Sequence, residues 1–345
     1  MDWRLGSERI IADEKTDASL GQVRWSPVKS IWIGSMTTAA LLIGPFVFSW
    51  SALAVFVLLS AVTLCTGHSV GMHRRLIHNS FECPLWFEYA LVYSGVLVGM
   101  AGPFGLMRQH DLRDWAQRQS RCHDYLKHGR GIVTDGWWQL HCDLKLDHPP
   151  RFQPERRIAE DSVYRWMERT WMWQQLPIAL VLFAFGGWSW VVWGVAARVA
   201  ACVTGHWLIG YFAHNEGPMR WRVNGAGVQG RDVPIAALLS MGESWHNNHH
   251  AFPGSARIGL SEDQPDPGWW FILLLQRLGL AWDIKTPASL AHREALVRLP
   301  NDEGGCPACR VAMRAWRRWK AAAARADYRF AGARASVRAA ERVSF

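Results

Sequence analysis

Residues 31–67 read IWIGSMTTAALLIGPFVFSWSALAVFVLLSAVTLCTG, without one charged side chain. A helix needs about 20 residues to cross the hydrocarbon core of a bilayer. The run is too long for one crossing, and Phe48-Ser-Trp-Ser51 divides it into two helices joined by a short uncharged turn. A second apolar run, Trp171 to Ala213, is divided in the same way by Gly186-Gly-Trp-Ser189. The pattern predicts an all-α integral membrane protein with four transmembrane helices in two hairpins. Their expected positions are about 31–48, 51–67, 171–186 and 188–213. Residues 85–107 are apolar too, but Glu88 and Gly102-Pro-Phe-Gly105 interrupt them. They read as an interfacial or re-entrant segment.

Composition agrees with a membrane protein. The chain has 345 residues and 22 Trp, several of them flanking the apolar runs, where interfacial indoles gather. The net charge of +9 arises largely after residue 305. No nucleic-acid motif accompanies it, so it reads as positive-inside topology plus a solvated tail, with no nucleic-acid partner. The Arg-rich segments lie at the hairpin bases: Arg74 and Arg75, Arg108 to Arg121, and the stretch after Arg220. The positive-inside rule puts these segments and both termini in the cytoplasm, and a bacterial inner membrane is the expected location.

The expected organisation is a soluble N-terminal arm over 1–29, a membrane domain over 30–300 and a basic tail over 301–345. The arm is too polar for a cleavable signal peptide. The membrane domain carries a cytosolic helical cap formed by 108–170 and 215–300. Cys306-Pro-Ala-Cys309 has no second pair to complete a zinc site, and reads as incidental in a reduced compartment.

The chemistry lies in the histidines, 14 in all. In Glu243-Ser-Trp-His246-Asn-Asn-His249-His250 three imidazoles fall at i, i+3, i+4, which share one helix face. Neutral imidazoles suit iron, copper, nickel and zinc, and this run supplies half a site. In Gly71-Met-His73-Arg-Arg-Leu-Ile-His78 the two histidines are five apart. On a regular α-helix that is about 140°, so the rings converge only if the helix ends or distorts between them. Tyr211-Phe-Ala-His214 closes the fourth helix, and hairpin topology brings it to the same membrane face.

These motifs resemble the integral-membrane fatty acyl desaturase family, and within it the acyl-CoA Δ9 desaturase branch of bacterial type. The resemblance covers roughly residues 30–290. The family pattern H-R-x-x-x-H falls on His73, Arg74 and His78. The pattern H-N-x-H-H falls on His246, Asn247, His249 and His250, preceded by Gly242-Glu243. A family ligand near the end of the fourth helix falls on His214, with the family's Arg and Trp at Arg198 and Trp207. The resemblance implies four spans, a cytosolic cap with a His-rich di-metal site, and a tunnel for the acyl chain. It implies two iron ions (Fe2+/Fe3+) and O2 as co-substrate. Catalytic roles fall on His73, His78, His246, His249 and His250, and metal ligation on these together with His110 and His214.

Three departures stand out. The family's middle box, H-R-x-H-H, reads His110-Asp-Leu-Arg113-Asp114 here, so one histidine is kept and two are missing. The family's Asn four residues before the fourth-helix His, a neighbour or water-mediated ligand of the metal, is Gly210. His68 and His206 appear inside helices that are usually apolar. Asp114 and His123 are the nearest substitutes for the lost ligands. His128, His141, His148, Asp111, Asp124 and Asp143 are also at hand, each with a solvated-surface reading beside it. His68 lies about 7 Å inward of His73, and His206 about 12 Å inward of His214. They read either as core residues bonded to neighbours such as Thr66 and Thr204, or as additions to the metal set.

The implied reaction inserts a cis double bond into a saturated acyl chain carried on CoA, a carrier protein or a lipid. Two electrons come from a separate donor of ferredoxin, rubredoxin or cytochrome b5 type. A related hydroxylase would use the same cofactor, and product mass separates the two. A degenerate lipid- or metal-binding protein would bind fewer than two irons. A zinc hydrolase seldom needs this many histidines.

Overall fold

The computed structural model describes residues 9–303 and is mostly helical. Cys306 and Cys309 and the basic tail from 304 onward lie outside the described residues.

Among the described residues, two helices are long and apolar enough to cross a membrane, Trp50–Ile77 and Gln175–Asn215, and Pro27–Ile43 is a shorter apolar helix. Only 28% and 22% of the two apolar windows are buried within the protein. A helix that is apolar all round must be covered by something, so these surfaces call for lipid rather than water. Leu41, Phe46, Trp50, Leu180 and Phe185 all project outward.

The 41-residue helix would measure about 60 Å if straight, twice the hydrocarbon core. It is not straight. Gly187 has φ 59° and ψ −155°, a conformation open almost only to glycine. Beyond it the chain folds back. Leu182 lies against Gly194, and Arg198 Nη2 donates to Gln175 Oε1 at 2.6 Å. The turn falls where Gly186-Gly-Trp-Ser189 predicts it.

The two tips meet. Ser49 caps the 50–77 helix by accepting from Ala52 N, and its Oγ is 3.0 Å from Ser189 Oγ. Ser189 Oγ also donates to Val47 O at 2.6 Å, and Trp190 Nε1 to Ser51 Oγ at 3.0 Å. The histidine motifs lie at the helix ends remote from these tips.

Several boundaries differ from expectation. The first helix starts at Pro27, where proline suits the first turn, and ends at Ile43. The second runs to Ile77 rather than 67, because Thr63–Ile77 is a π-helix that carries the motif histidines along with it. The 85–107 segment is a helix, Leu85–Val96, followed by a break and the start of a second helix, Pro103–Arg118. Glu168 caps that second helix, accepting from Phe104 N at 2.9 Å and Gly105 N at 3.2 Å.

The chain is also not purely helical. Among the described residues, three antiparallel two-stranded ribbons pair Ile10–Ile11 with Arg151–Phe152, Gly21–Trp25 with Cys142–Leu146, and Met219–Val223 with Leu296–Glu303. The first two tie residues of the N-terminal arm to the 142–152 segment, so the arm does not stand apart.

Candidate metal centre

The π-helix resolves the five-residue spacing. A π-helix closes its hydrogen bonds from i to i+5, so residues five apart come one above another. His78 N donates to His73 O at 3.0 Å in that pattern. The His73 and His78 rings then stand 4.7 Å apart, centroid to centroid. The helix 103–118 adds His110, and the short helix His246–Ala251 adds His249. One ligand nitrogen from each of His73, His78, His110 and His249 falls within 4.8 Å of the others.

A second cluster lies beside the first. Ligand nitrogens of His214, His246 and His250 also fall within 4.8 Å of one another. His246 Nε2 is 3.2 Å from His214 Nε2 and 3.0 Å from His250 Nε2. The three histidines of the 246–251 helix are therefore shared out, His246 and His250 to one cluster and His249 to the other. The two asparagines between them bolt the helix down. Asn247 Oδ1 accepts from Arg220 N and Trp221 N, and its Nδ2 donates to Trp221 O and Gly230 O. Asn248 Nδ2 donates to Ile258 O and Gln264 Oε1.

Buried charges orient the ligands from behind. Glu243 Oε2 lies 2.6 Å from His73 Nδ1, in ion-pair range though off the line of a straight N–H···O bond. Ser69 Oγ donates to Glu243 Oε1 at 2.6 Å, and Arg74 joins Glu243 to Asp266. Burial opposes ionisation of Glu243, yet His73 and Arg74 hold its carboxyl well below the usual range. Arg9 donates to the carbonyls of Leu76 and Ile77 and pairs with Asp111 at 3.2 Å. Asp111 in turn lies 3.5 Å from His110 Nδ1. Carboxylates behind ligating histidines fix the ring orientation and raise ligand basicity.

The cap histidines are held neutral. Burial and neighbouring imidazoles push His246 and His249 well below their ordinary value, and burial takes His250 down to about 4. Neutral rings are the form that binds metal. In each cluster the ring nitrogens converge to within 4.8 Å of one another, and imidazole nitrogens gathered in this way are a donor set that fits a transition-metal ion.

The other sequence candidates divide. Asp114 lies one turn beyond His110, paired with Arg118 at 3.2 Å. Burial would raise its pKa, but His110, Arg118 and His250 hold it below the usual range. It stands near both clusters and belongs to neither ligand set. His123 is not brought to the site. It accepts from Tyr125 N as the cap of Asp124–Lys127, and its own N–H is tied to Ala18 O. His141 is likewise remote, stacked on Trp137. His68 and His206 meet edge to face at 4.9 Å, outside both clusters. Thr66 bonds Val62 O and Ser94 instead of His68.

At the departures from the family pattern, Arg113 turns to His128 and Gln139. His128 stacks on His214 and is held by Asp135 Oδ2 at 2.8 Å. It fills the space beside Gly210, where a Cβ would meet His128 Nε2 at 3.1 Å. One residue has no sequence precedent. Gln117, buried on the face that carries His110, places Oε1 3.1 Å from His214 Nε2. Its only signal was the i, i+7 spacing from His110.

No family model matches the chain. Curated proteins do. It is 37% identical over 263 residues to the sn-1 stearoyl-lipid 9-desaturase of Anabaena variabilis, covering 74% of this chain and 93% of that protein. The chain belongs to the fatty acyl desaturase family. It is also 34% identical over 266 residues to delta-9 acyl-lipid desaturase 1 of Arabidopsis thaliana, covering 74% and 83%. To the acyl-CoA C20 Delta5-desaturase of Anemone leveillei it is 30% identical over 300 residues, covering 84% and 93%. The protein is thus an enzyme of fatty acid desaturation, and the histidine clusters are where a desaturase would carry its metal.

Proposed function

We propose that this desaturase inserts a cis double bond into an acyl chain at a di-iron centre, one iron held by His73, His78, His110 and His249, the other by His214, His246 and His250. The observation that carries the reading is the pair of convergent histidine clusters at one end of an apolar helical bundle. Iron with O2 supplies an oxidant strong enough to take hydrogen from an unactivated methylene. The protein's own part is positional. Glu243 aligns His73, and Arg9 with Asp111 aligns His110. The apolar helices bury the chain and exclude water, which fixes the carbon pair that reacts. The relatives' substrates favour an acyl lipid or acyl-CoA. Electrons come from a separate donor protein of ferredoxin, rubredoxin or cytochrome b5 type.

The four apolar segments serve as four spans, with both tips away from the cytoplasm and the histidine end facing it. Phe46 and Trp188 are exposed at the tips. Phe46→Cys and Trp188→Cys should label from outside intact cells, and protection of both would overturn this topology. Expression in a host that lacks unsaturated fatty acids tests the reaction. Unsaturated acyl chains should appear in its lipids. Hydroxylated chains in their place would make the enzyme a hydroxylase. Unaltered lipids around a chain carrying two irons and supplied with electrons would overturn catalysis.

A further inference from the structure

The second cluster has three histidines where the first has four, and its missing donor can be traced. His214 Nδ1 lies 2.7 Å from Gly210 O. A carbonyl only accepts, so Nδ1 carries the proton, and in the neutral ring Nε2 is a bare lone pair. That lone pair faces Gln117 Oε1 at 3.1 Å and His246 Nε2 at 3.2 Å. The Gln117 amide cannot be reversed to offer a donor, because its Nε2 is committed to Leu126 O at 2.8 Å. Two acceptors in contact, buried, repel unless something positive lies between them.

The spacing says what lies between. Two donors set cis on one transition-metal ion, each about 2.1 Å from it, stand about 3.0 Å apart. The contacts from Gln117 Oε1 to His214, from His214 to His246 and from His246 to His250 are 3.1, 3.2 and 3.0 Å. We propose that Gln117 is an oxygen ligand of the second metal ion. The family pattern has an asparagine at the position of Gly210; here His128 lies beside that position, and a carboxamide reaches His214 from the 103–118 helix instead.

This inference rests on the di-metal reading, and cobalt(II) titration of the metal-free full chain in detergent separates the two. The wild type should take two ions in two steps, read by d–d absorption. Gln117→Leu should keep one step and weaken the other about 10- to 100-fold, the usual cost of losing a group that supports a metal site. Gln117→Glu should keep both ions and shift the weaker step's absorption bands, since carboxylate oxygen replaces amide oxygen. Wild-type affinity and band positions in Gln117→Leu would overturn the assignment. So would unshifted bands in Gln117→Glu, which also covers the case in which the Leu variant fails to fold. A wild type that binds fewer than two ions would overturn the di-metal reading, and the ligand with it.

Discussion

The two histidine clusters are built from the same short helix, yet differ in how they are completed. The first draws four imidazoles from three helices and is backed by carboxylates, Glu243 behind His73 and Asp111 behind His110. The second has three imidazoles, and the departures from the family pattern gather around it: Gly210, His128 over it, Arg113 turned to His128, and Gln117 in contact with His214. The sequence can change freely at one metal position only if another group restores the donor. The first cluster is therefore expected to be the tighter site and the second the tunable one.

Removing a ligand gives the largest effect. His249→Ala should take iron from the first cluster alone, and His246→Ala from the second alone. Each should leave about one iron per chain and lower desaturation at least about 100-fold, beyond the loss seen for supporting groups. Iron analysis beside lipid profiling checks this. Loss of both irons from either change would erase the distinction between the clusters.

Glu243→Gln comes next. The carboxylate behind His73 is lost while size is kept, and Arg74 loses half its charge pairing. Iron affinity of the first cluster should fall about 10- to 100-fold, with the second cluster unchanged. Equal weakening of both would mean that Glu243 supports the cap as a whole.

Much of this comparison was legible in the sequence, and the reasons differ by element. The hairpins and their tips were readable because a bilayer leaves no alternative for long charge-free runs, and Gly187 turns where the glycines predict. Motif spacing singles out the seven histidines that the structure gathers, but not their division between two clusters. The convergence of His73 with His78 depends on a π-helix, which a 3.6-residue period does not foresee. The ribbons escaped because strands of two to eight residues leave too little alternation to detect. Gln117 escaped because a glutamine on a polar helix carries no metal signal of its own.

The pH response should differ between the clusters. In the second, His246 and His250 are held below their ordinary 6.5, His250 at about 4. The folded state then binds fewer protons than the unfolded one, so stability falls as pH drops below 6.5 toward 4. In the first, His249 behaves likewise, but His110 is raised. Burial alone would lower it, and Asp114 and Asp111 outweigh that. Its contribution is fully present below 6.5 and is lost as pH rises. The metal-free protein should therefore melt at lower temperature at pH 5 than at pH 7, and His110→Asn should steepen the fall. A melting temperature independent of pH would show the rings to be solvated.

Deeper in the bundle, the His68 and His206 rings touch each other but neither cluster. His68→Phe and His206→Phe should each keep two irons, with only a modest loss of turnover. Iron loss from either would extend the first cluster inward, since His68 is one π-helical step from His73.

The smallest effect is expected at His123, a histidine proposed for the site that the fold places elsewhere. Its ring accepts from Tyr125 N at the start of a four-residue helix, and its backbone N–H holds Ala18 O. The backbone bond survives side-chain truncation. His123→Ala removes only the cap, a contribution of about 1 kcal/mol. Cap loss leaves the 103–118 helix and its histidine untouched. The variant should keep two irons and full desaturation, and melt slightly earlier in detergent. Iron loss there would mean that the 124–127 segment positions His128 against His214, and that the second cluster reaches further into the cap than its three histidines and one glutamine.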